Sequence, residues 1–179
     1  AGTYNVVVTD IHGCTTTQNY VVNDLSGPVI DTVTSTPVLC FSGNTGTATV
    51  TTVPGTGTLP LTYDWNPGSQ ISSTANSLTQ GTYTVIVTDA NGCSSSGVVV
   101  VNQPPLLQLF VSLTDTICYG DTAQVYATAS GGTPAYNYFW IGASGTGFSG
   151  GGPHMVMPTS TTMYTALVLD NNGCSAGPI

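Results

Sequence analysis

One segment occurs three times along the chain, and its spacing limits the possible folds more than any other feature. It covers residues 2–14, 81–93 and, in a diverged form, 162–174, and in each copy a Tyr precedes an Asp by six positions and a Cys by ten. The alternation around Tyr83, Val85 and Val87 predicts a β-strand with one buried face. The following Asp-Ala-Asn-Gly predicts a tight hairpin turn, because Asn-Gly tolerates the positive φ of such turns. The repeated unit is therefore a strand, a turn, a Cys and a closing strand.

The distance between copies sets the domain organisation. The copies lie 79 and 81 residues apart in a chain of 179 residues, which predicts an array of modules of about 80 residues. Residues 1–23 are expected to be the C-terminal part of a first module, and residues 24–103 a complete module. Residues 104–179 form a third module that stops at its closing strand. We expect the chain to be a segment of a longer array of such modules.

The predicted fold class is all-β, with tandem immunoglobulin-like β-sandwich modules. Seven or so short strands per module, with a Trp on the third and a Tyr on the sixth, are typical of such a sandwich. The Gly-rich residues 145–152 are predicted to be a loose loop, and His154 is assigned to a loop beside them. The predicted core anchors are the recurring large aromatic side chains Trp65, Trp140, Tyr4, Tyr83 and Tyr164.

Composition excludes several functions. The chain has no Lys or Arg and a formal net charge of −8, so nucleic acid and anionic membrane surfaces are not expected partners. No apolar run is long enough for direct membrane insertion. His12 and His154 belong to unrelated loops, so no catalytic constellation can be assembled from them. We predict that the chain is not an enzyme and that it takes no cofactor.

Calcium is the one metal considered, because its ligands are carboxylate and carbonyl oxygens. The candidate ligands are Asp24 and Asp31, which flank a linker, and Asp89, which belongs to the repeated hairpin. The alternative, which we favour, is that Asp89 caps its own turn through its side chain.

The five cysteines predict disulfides and an oxidising compartment, because they stand at equivalent places in small β modules. They are Cys14, Cys40, Cys93, Cys118 and Cys174. In an immunoglobulin-like module, the turn that carries Cys40 and the turn that carries Cys93 lie at opposite ends, and one strand alone spans about 20 Å. Bridged Cα atoms, in contrast, lie about 4.4–6.8 Å apart. A head-to-tail array instead brings Cys40 toward Cys174. The intramodule pairs Cys40–Cys93 and Cys118–Cys174 stay open, since a swapped first strand would reverse the geometry.

The motifs also resemble a known family. The motifs that carry the resemblance are Cys-x-Gly at residues 118–120, Gly-Thr-Pro-x-Tyr-x-Tyr-x-Trp at residues 132–140 and Gly-Thr-Tyr-Thr-Val-x-Val-Thr-Asp-Ala-Asn-Gly-Cys at residues 81–93. They are similar to SprB-type repeats of gliding-motility adhesins. They also resemble PKD- and Ig-like modules of Bacteroidetes surface proteins. The resemblance implies a secreted, cell-surface stalk or filament exported by the type IX system. The third module departs from the pattern at Thr162-Met163-Tyr164, where the other copies have Gly-Thr-Tyr.

Three Asp-Thr-apolar triplets resemble the O-glycosylation signal of exported Bacteroidetes proteins. Their threonines, Thr32, Thr116 and Thr122, all lie in or beside a first strand.

The sequence thus predicts a structural segment of an extracellular adhesin or filament. Its expected partners are neighbouring modules, and other copies or surface glycans are further candidates. The alternative is a carbohydrate-binding or spacer region of a secreted enzyme. That function needs a row of exposed aromatics, for which the candidates are Tyr119, Tyr136, Phe139 and Phe148.

Overall fold

A computed structural model describes residues 1–112, 115–142 and 147–178. Every regular element among these residues is a β-strand, so the all-β prediction is confirmed. The sixteen strands are β1 (Gly2–Thr9), β2 (Thr15–Val22), β3 (Ile30–Thr36), β4 (Gly46–Thr52), β5 (Thr62–Asn66), β6 (Thr74–Leu78), β7 (Gly81–Thr88), β8 (Ser94–Val101), β9 (Gln108–Val111), β10 (Ala123–Val125), β11 (Ala127–Ser130), β12 (Asn137–Ile141), β13 (Gly147–Ser149), β14 (His154–Val156), β15 (Thr165–Leu169) and β16 (Ser175–Ala176).

The strands between residues 29 and 102 follow the order of an immunoglobulin-like fold. One sheet has the order β3-β4-β6 and another the order β5-β7-β8. The first, second and fourth strands thus share one sheet and the third, fifth and sixth the other, as in immunoglobulin-like sandwiches. This segment has six strands rather than the expected seven or so, because residues 67–73 form turns and a single bridge from Trp65 to Gln70. Tyr83 therefore lies on the fifth strand.

The described strands after residue 104 repeat this order with two differences: the second strand is divided into β10 and β11, and β13 is added. β9 pairs with β11, β10 pairs with β14, and a four-stranded sheet has the order β13-β12-β15-β16. The additional strand β13 lies in the Gly-rich segment, where Trp140 pairs with Phe148. The loose-loop prediction is therefore wrong for residues 147–149, and residues 145–146 lie outside the described residues. His154 also lies on a strand, opposite Val125, and not in a loop.

The first hairpin stands as a two-stranded sheet. β1 and β2 pair in register from Gly2 opposite Val22 to Thr9 opposite Thr15. Tyr4 is 59% exposed, which corrects its assignment as a core anchor. The physical reason is that a single hairpin has no second sheet to cover either of its faces, so its aromatic and Val side chains remain in solvent.

Two compact units interleave along the chain, and each has its own buried side chains. The first unit comprises residues 1–33, 50–73 and 84–98, and it buries Trp65 at 1% exposure. The second comprises residues 34–49, 74–83 and 99–179. It contains a cluster around Trp140, which is 3% exposed, with Tyr164 packed against the cluster. Tyr83, in the same unit, is 6% exposed. Within the part of the chain that the structure describes, no helix is long and apolar enough to cross a membrane.

Candidate functional site: the disulfide-bonded hairpin

The three repeated hairpins have the same turn. In each, the Asp N–H donates to the Cys carbonyl and the Gly N–H donates to the Asp carbonyl, at 2.9–3.0 Å. Positive φ occurs at the glycine, with values of 84° at Gly13, 82° at Gly92 and 80° at Gly173. The residues that precede these glycines, His12, Asn91 and Asn172, do not have a positive φ. These are therefore three-residue turns that end in a left-handed glycine, rather than Asn-Gly turns with two positive φ values.

The hairpin Asp holds the turn through its carboxylate. Asp89 Oδ1 accepts hydrogen bonds from the N–H groups of Asn91 at 3.0 Å and Cys93 at 2.9 Å, and Oδ2 accepts one from Thr58 at 3.0 Å. The Asn91 side chain donates in turn to the Thr58 hydroxyl at 2.6 Å. One carboxylate therefore ties the hairpin to the loop that precedes the Trp strand.

The third module builds the same arrangement from its own residues. Asp170 Oδ1 accepts from Asn172 and Cys174 at 2.9 Å each, and Oδ2 accepts from the Thr133 N–H at 2.8 Å. Asn172 Nδ2 donates to the Thr133 hydroxyl at 3.0 Å. Asp10 accepts at Oδ1 from His12 and Cys14 at 2.8 and 2.9 Å, so the first hairpin shares the turn itself.

Both buried carboxylates are held in the ionised form. The Thr58 N–H bond, with smaller contributions from the N–H groups of Cys93, Asn91 and Gly92, lowers the pKa of Asp89 against the opposing effect of burial. Burial is the largest single influence on Asp170 and raises its pKa, but the N–H bonds led by that of Thr133 together lower it. A carboxylate that accepts several backbone N–H bonds favours its charged form. Asp89 and Asp170 are thus buried anions stabilised by backbone N–H dipoles.

The third hairpin is covalently joined to the middle module. Cys40 and Cys174 form a disulfide with a Cα–Cα distance of 5.7 Å across 134 positions of sequence. This is the pair that the head-to-tail argument favours. Beside it, Asn172 Nδ2 donates to the Leu39 carbonyl at 3.0 Å. Asn172 therefore contacts both the loop of its own module and the turn that carries Cys40.

The linker beside the disulfide, residues 102–105, is hydrogen-bonded to segments on both sides. The Val38 N–H donates to the Asn102 carbonyl at 2.8 Å, and the Ser42 N–H donates to Gln103 Oε1 at 2.8 Å. On the other side, the Gly132 N–H donates to the Pro105 carbonyl at 2.9 Å. Gly131 has a φ of 74°, and a Cβ there would lie 2.0 Å from the Leu106 carbonyl oxygen, so only glycine fits this close approach.

A small cavity of about 360 Å³ lies at this junction. Phe41, the linker prolines and the disulfide are among its lining residues. Together, the disulfide, Asn172 and the bonded linker define what we call the junction, formed by residues 38–42, 102–107, 131–133 and 170–175.

Three cysteines are free. Cys14 and Cys118 are exposed, and Cys93 is half-buried. Cys93 lies against the linker that precedes the middle module, since a Cβ on Gly27 would lie 2.9 Å from the Cys93 Cβ.

The calcium candidates have separate partners. Asp24 Oδ1 pairs with the N-terminal ammonium at 3.2 Å, and Asp31 Oδ2 accepts from the Thr51 hydroxyl at 3.4 Å. Asp89 caps its turn as described above. Among the residues that the structure describes, no group of three or more His, Cys, Asp or Glu side chains could hold a metal ion.

The aromatic candidates for glycan binding do not share one environment. Tyr119 is 85% exposed, and Phe139 on β12 is also exposed. Tyr136 donates its hydroxyl to the Gly131 carbonyl at 2.7 Å. Phe148 stacks on Trp140 with ring centroids 5.6 Å apart and packs against the core cluster. Tyr136 and Phe148 are therefore packing residues, and the structure gives no contact between Tyr119 and Phe139.

The glycosylation candidates are accessible. Thr32, Thr116 and Thr122 are all exposed, although the Thr32 hydroxyl is bonded to that of Thr51 at 2.8 Å.

Sequence reasoning missed three residues of the site. Thr58 and Thr133 are partners of the hairpin Asp, and Asn172 spans two modules. A signal for the threonines was present, because a Gly-Thr pair precedes each Trp strand, as Gly57-Thr58 and as Gly132-Thr133. Their role depends on a contact 31 or 37 residues along the chain, which a local pattern does not specify.

The strand order and the junction define a class of protein. The chain has repeated units, an immunoglobulin-like β-sandwich fold and a disulfide between Cys40 and Cys174.

Comparison with known proteins gives a match to a repeat family for part of the chain. Residues 32–70 match the family model of the SprB repeat, and the sequence-based recognition is confirmed there. SprB repeats occur in cell-surface proteins, and a disulfide is consistent with an extracellular location. No curated protein matches the chain.

Among solved structures, the chain is similar to a chain from a study of the structural basis for Dscam isoform specificity. The two are 15% identical with a TM-score of 0.32, and the match covers 97% of this chain. It covers 52% of the other chain, so this chain spans about half of that relative's length.

Proposed function

We propose that this chain is a load-bearing spacer segment of a secreted cell-surface adhesin or filament. The observation that carries the proposal is the Cys40–Cys174 disulfide, which joins two positions 134 apart in the sequence. When the chain is pulled from its ends, tension passes from Cys40 directly to Cys174. Residues 41–173 are thereby removed from the load path. The hydrogen bonds of the linker and of Asn172 hold the same junction in one arrangement.

Further features follow from the SprB repeat and are part of the proposal. The parent protein is exported through the type IX system to the cell surface, where it serves adhesion or gliding. Its partners are neighbouring modules of the same chain, other copies in a filament and surface glycans. Exposed Thr32, Thr116 and Thr122 are its O-glycosylation sites. The role is structural rather than catalytic, in keeping with the repeat type.

Single-molecule force extension tests the spacer function. The oxidised protein is compared with a Cys40→Ser, Cys174→Ser double variant, and a Cys93→Ser variant serves as the matched control. The 134 positions between the bridged cysteines correspond to roughly 440–480 Å of extended chain. We expect this extension in the double variant and in the reduced protein, and its absence in the oxidised protein and the control.

An oxidised protein that releases this length below the force that breaks covalent bonds would refute load transfer through the disulfide. Binding of a neutral glycan that is abolished by Tyr119→Ala, but not by Phe148→Ala, would instead favour the carbohydrate-binding alternative.

A further inference from the structure

We infer that Asn172 is a deamidation site, that the closed junction suppresses its reaction, and that the product of the reaction weakens the junction. Gly173 follows Asn172, and Asn-Gly is the dipeptide most prone to this reaction, because a residue without Cβ lets its backbone nitrogen reach the preceding side chain. Asparagine is also among the chemically labile residues of proteins. The inference goes beyond the spacer function, because it assigns a covalent modification to the hairpin.

The reaction proceeds through a succinimide. The Gly173 nitrogen attacks the carbonyl carbon of the Asn172 side chain, the bond between that carbon and Nδ2 breaks, and ammonia leaves with the proton of the Gly173 nitrogen. Water then opens the ring at either carbonyl carbon. One product is aspartate, and the other is isoaspartate, in which the backbone continues through the former side-chain carbonyl. Water is the only co-reactant.

The closed junction engages the groups that must move for this cyclisation. The Gly173 N–H donates to the Asp170 carbonyl at 3.0 Å, so the attacking nitrogen is already hydrogen-bonded. Asn172 Nδ2 donates to the Leu39 carbonyl and to the Thr133 hydroxyl, at 3.0 Å each. Rotation of the side chain toward the attacking nitrogen therefore breaks both of these bonds. Deamidation requires a local opening of the junction.

The product does not fit the closed junction. A carboxylate only accepts hydrogen bonds, so in place of Nδ2 it would bring an acceptor oxygen against the Leu39 carbonyl. The new negative charge also lies on the hairpin of Asp170, which is already a buried anion. In isoaspartate, the added backbone atom lengthens the turn that the Asp170 N–H and the Cys174 carbonyl close at 3.0 Å. The change is irreversible, so an opening that leads to reaction weakens the junction permanently.

The first test compares deamidation at Asn172 with deamidation at Asn91, which precedes Gly92 in the middle hairpin. The oxidised chain, the reduced chain and a Thr133→Val variant are incubated at neutral pH. They are then digested with pepsin in acid, since trypsin has no site in a chain without Lys or Arg, and analysed by mass spectrometry. We expect reduction and Thr133→Val each to accelerate the reaction at Asn172 by about fivefold, because each removes a restraint on the side chain. The rate at Asn91 should not change.

Thr58→Val is the matched control. It removes the hydroxyl to which Asn91 Nδ2 donates at 2.6 Å, so it should accelerate the reaction at Asn91 and not at Asn172. Equal rates at Asn172 in the oxidised and reduced chains would overturn the inference. A parallel rise at Asn91 on reduction would also overturn it, because the protection would then come from global folding and not from the junction.

The second test concerns the product. Asn172→Asp imitates the aspartate form, and Asn171→Asp adds the same charge one position earlier, on an exposed residue. The rate at which dithiothreitol reduces Cys40–Cys174 is measured in both variants. We expect reduction to be about fivefold faster in Asn172→Asp, because only this variant loses the bond to the Leu39 carbonyl. Equal rates would refute the weakening of the junction, and they would leave the force-extension result of the unmodified chain untouched.

Discussion

At the scale of single residues, the hairpin Asp links sequence to packing most directly. Asp89 is 5% exposed and Asp170 is 3% exposed, yet both lie beside a turn that is open to solvent. Each is ionised because backbone N–H groups from two parts of the chain point at its oxygens. A buried anion is tolerated when hydrogen bonds replace its hydration. The Asp, its turn and its Thr partner therefore act as one unit.

The lowered pKa of Asp89 and Asp170 predicts how stability depends on pH. A carboxyl whose pKa is lower in the folded state contributes stability above its ordinary pKa of 3.8, and that stability is lost as pH falls through the folded pKa. We expect the melting temperature of the wild type to fall below about pH 4. An Asp89→Asn, Asp170→Asn variant should melt several degrees lower at pH 7 and show a flatter profile in acid.

Asp64→Asn is the matched control for the single Asp89→Asn variant, because Asp64 lies exposed on β5. Each of these two variants removes one negative charge, but Asp64→Asn does not alter a hairpin. Thermal melts followed by circular dichroism between pH 2 and 7 provide the measurement. Equal effects of Asp64→Asn and Asp89→Asn would show that net charge, and not the hairpin bonds, sets the acid stability.

At the scale of elements, two strands of similar sequence differ in burial because different numbers of strands surround them. β1 and β7 both contain Gly-Thr-Tyr followed by alternating Val, but Tyr4 is exposed and Tyr83 is buried. β7 lies between β5 and β8 in a three-stranded sheet, whereas β1 pairs with β2 alone. An isolated two-stranded hairpin is marginally stable in water. Local opening should therefore concentrate in β1 and β2 and not in the Gly-rich segment, where β13 is paired.

Limited chymotryptic digestion tests this difference within one molecule. We expect the first cuts after Tyr4 and Tyr20, which are 59% and 57% exposed, and the last at Tyr83. The matching Gly-Thr-Tyr context of Tyr4 and Tyr83 controls for the local preference of the enzyme. Mass spectrometry over time gives the order of cleavage. Cutting at Tyr83 as fast as at Tyr4 would contradict the assignment of β7 as a covered strand.

At the scale of the whole molecule, one covalent bond closes most of the chain into a loop. The chain has no Lys or Arg, so ion pairs of those side chains with Asp cannot contribute to its stability. Its cohesion comes from sheet hydrogen bonds, buried apolar side chains and the disulfide across 134 positions. In the chain-entropy account, a loop of that length stabilises the folded state by about 5 kcal/mol, because cross-linking reduces the freedom of the unfolded chain.

Loss of the disulfide should therefore lower the free energy of unfolding by up to about 5 kcal/mol. The Cys40→Ser, Cys174→Ser variant is compared with wild type by urea unfolding, with Cys93→Ser as a control that leaves the loop closed. The Trp140 fluorescence of a Trp65→Phe background reports the third module alone. An unchanged urea midpoint in the double variant would mean that the disulfide does not stabilise the fold of the modules, and that it only holds them together.

The sequence by itself determined the class of structure and the positions of the hairpins. Alternation of apolar and polar residues specifies strands, Gly13, Gly92 and Gly173 specify the turns, and the spacing of about 80 residues predicts modules of that length. Those features are local or periodic, so they can be recognised in the sequence before the tertiary structure is known. The burial of Trp65 and Trp140 follows from the same patterns, because large aromatic side chains on central strands are the main source of buried apolar area.

Only the tertiary structure decided which cysteines pair, which aromatics are buried and what holds the hairpin Asp. The sequence leaves Cys40–Cys93 and Cys40–Cys174 both open, with a geometric argument for the second, and the structure contains the Cys40–Cys174 bond. Tyr4 and Tyr83 have the same local sequence, and the number of neighbouring strands separates them. The physical reason is the same in each case: these outcomes depend on contacts between residues distant in sequence, and local pattern carries no information about which distant surfaces meet.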